Sequence, residues 1–305
     1  MKFFHPKRIS RSVKEKVHNI FFYYILPDKW EIKYRFKKKV GYSCNLKNPK
    51  SFNEKIQWIK LHDRNPLYPK LIDKINVKTI VANELGSEYV IPMIGESYSS
   101  FSEIPFNELP NQFVLKCNHD AASTIICKDK SKFDYSNAKM IIEKALKTNY
   151  YNVTGKQWGY KEIVPKVFVE KYMQNGEDDE LCDYKFMMFN GKCKSIFFMT
   201  DRYSSEKMKM NCYDPDWNLQ PFTRGNPNTN YIIQKPNKLK EMLEIVDKLA
   251  SIVNNAFVRI DLYVVNEKIY FGEYTFYPNG GYGKFDPQEW DYIMGSWIDL
   301  SALKR

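Results

Sequence analysis

Phe257-Val258-Arg259-Ile260-Asp261-Leu262-Tyr263-Val264-Val265 and Ile269-Tyr270-Phe271-Gly272-Glu273-Tyr274-Thr275-Phe276, separated by Asn266-Glu267-Lys268, read as two antiparallel strands. In the first, Val258, Ile260, Leu262 and Val264 share one side, and Arg259 and Asp261 lie on the other. A three-residue loop at 266–268 sets Asp261 opposite Glu273 and Arg259 opposite Thr275. A slip of one residue would put the two acids on opposite faces. Carboxylates directly across a ladder repel, and two close ones cannot both ionise cheaply. Mg²⁺ held by two carboxylates and phosphate oxygens removes that penalty, so the hairpin reads as a metal-phosphate site. The alternative is an edge hairpin with both acids in water, and this stretch alone leaves the two readings level.

The rest of the chain bounds what such a site belongs to. At 305 residues, with 43% apolar and 16% aromatic side chains, the chain has material for two or three subdomains and a sizeable core. Its six cysteines, Cys44, Cys117, Cys127, Cys182, Cys193 and Cys212, form no Cys-x-x-Cys pair. Buried thiols in a reducing compartment fit better than zinc or a disulfide framework. Charge is uneven: residues 1–40 hold twelve Lys/Arg against Glu15, Asp28 and Glu31, which is nine of the eleven net positive charges. The apolar run Phe21–Leu26 is far short of the ~20 residues a spanning helix needs, and no secretory signal is evident. A cytoplasmic protein follows. Its basic aromatic arm either lies at an anionic membrane surface, at the inner face, or packs on its own domain. Nucleic acid is disfavoured because the basic charge does not recur over the body.

Ser51-x-x-Glu54 is a capping box opening a helix to about Asp63. A second helix is expected from Asp73 to Leu85, stopped by Gly86. Strands are expected at Glu88–Gly95, Gln112–Cys117, Thr124–Cys127, Pro165–Tyr172, Asp183–Asn190 and Lys194–Thr200, the last two joined by the hairpin signal Asn190-Gly191. A helix at Ser136–Thr148 turns Met140, Ile141, Ala145 and Leu146 inward; Tyr150–Lys161 reads as loop, and 204–235 yields only turns. Leu239, Met242, Leu243, Val246, Leu249, Ala250 and Val253 make the apolar stripe of a helix at Lys238–Asn254. A last helix opens at Asp286-Pro287, with Glu289 at its third position.

Lys116 ends the apolar run Phe113-Val114-Leu115 and needs water or an anion there, a nucleotide phosphate being one candidate and a snorkelling side chain the plainer one. Glu170-Lys171-Tyr172 ends a second strand, followed by Glu177. Exposed backbone there suits a flat base edge, although a solvated ion pair is the better account of the spacing alone. Lys185 and Arg202, on or after adjacent strands, are candidates for phosphate or a substrate carboxylate. The Asn279–Gly283 loop is either an amide cradle for an anionic intermediate or a plain turn.

Taken in order, Phe52-Asn53-Glu54-Lys55 with Trp58, Asp73-Lys74, Val114-Leu115-Lys116-Cys117-Asn118-His119, Val169-Glu170-Lys171-Tyr172, Asp183-Tyr184-Lys185-Phe186, Arg259-Ile260-Asp261-Leu262-Tyr263 and Gly272-Glu273-Tyr274-Thr275-Phe276 resemble the ATP-grasp family. Within it they are similar to the TupA-like branch associated with teichuronopeptide and capsular polysaccharide synthesis. The resemblance covers about 51–300 and implies an α+β ATP-grasp fold, two α+β lobes clasping ATP, beside a helical basic arm. The implied divisions are 1–50 (arm), 51–110 (N-terminal α/β subdomain), 111–172 (small lobe) and 173–305 (C-terminal lobe with the metal site). Lys116 would meet the α- or β-phosphate, Glu170 and Tyr172 the adenine hinge, Lys171 the base and Glu177 the ribose. Asp261, Glu273 and Thr275 would hold Mg²⁺, with Arg259 on the transferring phosphoryl group. Thr275 stands where the family usually has asparagine, so its hydroxyl is expected on a water or phosphate oxygen. Asp120-Ala121-Ala122-Ser123 replaces the usual glycine-rich loop and brings a negative charge towards triphosphate.

The implied activity is ATP-dependent joining of a carboxylate to an amine through an acyl phosphate. The implied substrates are an amino acid and a uronic acid of a surface glycan or its lipid-linked precursor. A sugar phosphotransferase on the same fold and a non-catalytic scaffold of the polysaccharide machinery remain as alternatives.

Overall fold

The computed structural model describes residues 26–121, 123–175, 183–200 and 208–303. The expectations for the arm at 1–25, for Glu177 and for Arg202 lie outside the described residues. Helices α1 (Asp28–Val40), α2 (Phe52–His62), α3 (Leu67–Ile72) and α4 (Asn76–Leu85) come first, then strands β1 (Met93–Tyr98), β2 (Phe113–Cys117) and β3 (Ile125–Cys127). They are followed by α5 (Tyr135–Leu146), α6 (Tyr150–Val153), β4 (Val167–Lys171), β5 (Asp183–Phe189), β6 (Lys192–Thr200) and β7 (Lys209–Tyr213). The chain continues through α7 (Leu239–Val253), β8 (Phe257–Val265), β9 (Lys268–Thr275) and α8 (Glu289–Ser296). Two antiparallel sheets result, β1-β4-β2-β3 and β7-β6-β5-β8-β9, so the class is α+β as expected.

The larger sheet is held by the helix whose stripe was plainest in the sequence. Leu239, Met242, Val246, Leu249, Ala250 and Val253 of α7 are buried in one cluster with Phe186, Ile196, Phe257, Val258 and Ile260. Asn254, left-handed at φ 45°, ends the helix and lets the chain turn into β8. The smaller sheet has its own core, with Phe113, Leu115, Val167 and Val169 packed on Ala138, Ile142 and Ala145 of α5. Residues 90–93 pass between the two sheets: Val90 bridges Phe271 of β9, and Met93 pairs with Glu170 of β4.

The register of the decisive hairpin is as expected, reached by a different route. Asp261 faces Glu273 and Arg259 faces Thr275. The turn, however, has two residues, Asn266 and Glu267, both at positive φ (49° and 61°), and Val265 pairs with Lys268. That start would carry Glu273 to Ile260 and onto the core side. A bulge between Leu262↔Phe271 and Asp261↔Glu273 leaves Gly272 unmatched and restores the pair.

Several expectations need correcting. The strand at Glu88–Gly95 begins only at Met93, because Ser87–Tyr89 is a 3₁₀ turn and Pro92 has no N–H for a ladder. The helix expected from Asp73 starts at Asn76, since Asp73 accepts from the Ile75 and Asn76 amides and so holds the chain in a turn. Met140 is 64% exposed, and Ala138 and Ile142 face inward in its place. Residues 150–161 hold α6 and a 3₁₀ turn, and β7 lies in the stretch that yields only turns. Asp286 caps nothing: its backbone bridges Thr223, and α8 starts at Glu289. A boundary at residue 110 would cut the smaller sheet, because β1 precedes it and pairs with β4. Part of the arm packs on the body, with Ile32 and Phe36 of α1 against Cys44, Leu46 and Tyr282. Among the described residues no helix is long and apolar enough to cross a membrane.

Candidate functional site

A cleft of about 1000 Å³ opens between the two sheets. Lys74, Lys78, Lys116, Glu170, Lys171 and Tyr172 line it from α4, the adjoining turn and the smaller sheet. Asp183, Lys185, Arg259, Asp261 and Glu273 line it from the larger sheet. The structure thus brings together every described candidate except Thr275, which stands behind Glu273 and donates to its Oε1 at 3.0 Å.

On the larger sheet the acids are already compensated. Arg259 donates from Nε to Asp261 Oδ1 at 2.6 Å, and from Nη2 to Asp261 Oδ2 at 2.7 Å and Glu273 Oε1 at 2.8 Å. Lys185 Nζ reaches Asp183 Oδ2 at 2.7 Å and Asp261 Oδ2 at 2.6 Å. The registers Asp261↔Lys185 and Asp183↔Tyr263 explain this, since alternation puts Asp183, Lys185, Asp261 and Glu273 on one face. The expectation that repulsion between the acids demands a metal is therefore corrected: a guanidinium and an ammonium relieve it. Three carboxylates against two cations still leave one negative charge, and all the donors are oxygens, which suits Mg²⁺. The fit holds in donor chemistry, with the ion competing against Arg259 and Lys185 for the same oxygens. Among the described residues no group of three or more His, Cys, Asp or Glu is arranged to hold an ion by itself.

Burial raises the Asp261 carboxyl, and Arg259 and Lys185 do not fully offset burial plus the neighbouring Asp183 and Glu273. Burial raises Glu273 as well, but Arg259, Lys74 and Lys185 outweigh it and hold that carboxyl at about 2, below its ordinary 4.5. A depressed carboxyl stabilises the fold fully above pH 4.5 and loses that contribution as pH falls through about 2. Wild type should therefore melt above Glu273→Gln at neutral pH, and the gap should close between pH 4.5 and 2. A gap that stays constant across that window removes this account.

On the smaller sheet, Lys116 has an anion, and it belongs to the protein. Lys116 Nζ lies 2.5 Å from Glu170 Oε2, and Lys78 Nζ lies 2.5 Å from Glu170 Oε1. Val114 faces Glu170 across β2 and β4, so Lys116 meets it as the diagonal neighbour. Burial raises the Glu170 carboxyl, yet the two lysines win and keep it below the usual range. Both carboxylate oxygens are thus engaged by ammonium groups, so an exocyclic amine would compete for them. Lys171 is exposed at the strand end and Tyr172 follows it at the cleft edge. Asp120 is buried and is not among the residues that line the cleft; it accepts from Ser123 Oγ at 2.7 Å, while its carbonyl accepts from Lys74.

The loop at 278–283 is set by a buried polar stripe on α2. Asn53 Nδ2 donates to Gly283 O at 2.8 Å, Gln57 Nε2 to Gly281 O at 2.6 Å, and Lys60 Nζ to Gly280 O at 2.9 Å. These residues recur at helical spacing on one face, which gives Phe52-Asn53-Glu54-Lys55 a physical role in positioning Asn279 on the cleft wall. Sequence reasoning missed Lys78, Asp183 and Arg224. Asp183-x-Lys185 was legible as one strand face; Lys78 and Arg224 carried no local signal.

The TupA-like ATP-grasp family model matches residues 54–299. Among curated proteins none matches the chain. Solved structures that resemble it include D-alanine–D-alanine ligase from Helicobacter pylori, at 15% identity over 76% of this chain and 61% of that one, TM-score 0.41. L-amino acid ligase from Bacillus licheniformis resembles it at 10% identity over 70% and 44%, TM-score 0.43. D-alanine–D-alanine ligase from Bacillus anthracis complexed with ATP does so at 17% identity over 68% and 53%, TM-score 0.37. The chain spans 44–61% of the length of these structures. With the family matched across both sheets and the cleft between them, the chain belongs to the TupA-like ATP-grasp family.

Proposed function

We propose that the protein is an ATP-dependent carboxylate–amine ligase, joining an amino acid to a uronic acid of a surface glycan or its precursor. The observation that carries this reading is the two-walled cleft. Lys74, Lys78 and Lys116 stand on one wall, and Arg259, Lys185, Asp261 and Glu273 on the other. Phosphoryl transfer to a carboxylate needs positioning and charge neutralisation rather than a protein nucleophile. Lys116 and Lys78 supply cations for phosphate oxygens once Glu170 shares them. Arg259 offers a planar fork where charge builds on the transferred group. Mg²⁺, when bound at the oxygens of Asp261 and Glu273, would neutralise triphosphate charge. The uronic-acid substrate rests on the family's association with teichuronopeptide and capsular polysaccharide.

The test is ADP release by the purified chain with Mg-ATP, a panel of amino acids and a panel of uronic acids, with products weighed by mass spectrometry. Release that needs both an acid and an amine, with an amide product, supports the ligase. A phosphosugar formed without any amine transfers the site to phosphotransfer, and no release with any pair removes the reading.

A further inference from the structure

Arg224, between β7 and α7, is a buried cation on the cleft wall that the ligase reading leaves without a task. It is 4% exposed and lines the cleft with Asn226 and Asn279. Its guanidinium rests against two rings, 5.1 Å from the Phe52 centroid and 4.9 Å from that of Phe285. Among the described residues its one hydrogen bond is a long 3.4 Å contact from Nη2 to Pro278 O, and buried Nε has no partner. Lys78, Lys116, Lys185 and Arg259 each hold a carboxylate of the chain, whereas Arg224 makes no ion pair among the described residues. The Asp291 carboxylate acts on it only from a distance, its oxygens being taken by Tyr42 and by the backbone and side chain of Asn53. Burial accordingly pulls Arg224 down to about 10.

Room has been kept for this side chain. A Cβ on Gly283 would stand 3.0 Å from Arg224 Nε, 3.1 Å from its Cζ and 2.9 Å from Asn279 Nδ2. A desolvated guanidinium with unused donors is costly to maintain, and a bound oxyanion is the partner that removes the cost. On the ligase reading three oxyanions enter this cleft: phosphate, the uronic carboxylate that is phosphorylated beside Arg259, and the amino acid's own carboxylate. The phosphate side already has Lys74, Lys78 and Lys116 on the opposite wall, and an arginine fork matches a planar carboxylate with two parallel bonds.

We infer that Arg224 receives a carboxylate carried by the amine substrate, so that the acceptor is an amino acid held by its own carboxyl group rather than a simple amine. This rests on the ligase reading for the identity of the cleft, but binding can be read without turnover.

Calorimetric titration of the full wild-type chain with L-amino acids and with their carboxamides is the first measurement. At least one amino acid should bind, and its amide should bind about tenfold or more weakly, because the fork loses an anionic partner. Arg224→Lys and Arg224→Gln should weaken that amino acid about 30-fold or more, with ATP affinity unchanged. Equal binding of acid and amide by wild type, or no amino acid bound at all, overturns the inference; that comparison uses wild type alone and needs no variant to fold. Loss of ATP affinity in both variants with amino-acid binding intact assigns the oxyanion to phosphate and overturns it too. Acid-over-amide preference without ADP release would sink the ligase reading and leave the Arg224 site standing. Release with indifference to the amide would do the reverse.

Discussion

Glu273→Gln should lower ADP formation by about a thousandfold with a modest fall in melting temperature, and Asp261→Asn should lower it as far with a larger fall. The two differ because of what each carboxylate holds. Asp261 is 1% exposed and takes both arms of Arg259 plus Lys185, so its loss leaves two buried cations short of a partner. Breaking such a pair costs about 3–5 kcal/mol. Glu273 is about a third exposed, shares only Nη2 of Arg259, and leaves that arginine anchored on Asp261. Measured together, kcat and the melting temperature separate a chemical role from a structural one. Should Glu273→Gln turn over within a few-fold of wild type, the carboxylate pair is scaffolding and the cleft needs another metal site.

The parts of this site that were legible in the sequence are those set by strand alternation. Asp261 and Arg259 two residues apart on β8, and Asp183 and Lys185 two apart on β5, must share a face whatever the partner strands do. What escaped was whatever depended on which strands and helices meet. The anion for Lys116 is Glu170, some fifty residues away across the β2–β4 register, and Lys78 arrives from the helix before β1. No periodicity in either segment announces those encounters. Arg224 lay in a stretch where β7 and several turns left no pattern to extend, yet its burial against Phe52 and Phe285 is among the least expected features of the cleft. The step from paired acids to metal was incomplete for a related reason. It weighed the repulsion of Asp261 and Glu273 without the guanidinium already on their own face.

The pairing of the two acids also depends on a residue that carries no charge. Gly272→Val should displace Glu273, cost the fold about 1–3 kcal/mol, and reduce ADP formation about a hundredfold. A two-residue turn at Asn266-Glu267, followed by an unbroken ladder, would set Gly272 against Asp261 and Glu273 against Ile260, whose side chain is buried in the core. The bulge cancels that offset by leaving Gly272 without a partner. It can do so because nothing projects from Gly272: a Cβ there would sit 3.0 Å from the Asp261 carbonyl oxygen, 3.3 Å from Asp261 Cβ and 2.9 Å from Tyr263 Cε2. The Tyr263 ring can rotate aside, but the Asp261 carbonyl is backbone in the middle of a sheet and cannot. Gly272→Ala adds that one atom and should fall between wild type and Gly272→Val in both melting temperature and turnover. Since Arg259 bridges Asp261 and Glu273 directly, a shift of Glu273 by even an ångström breaks the 2.8 Å bond to Nη2 and lets the arginine settle wholly on Asp261. Wild-type turnover by Gly272→Val would mean that the position of Glu273 does not matter to the chemistry, whatever its charge does.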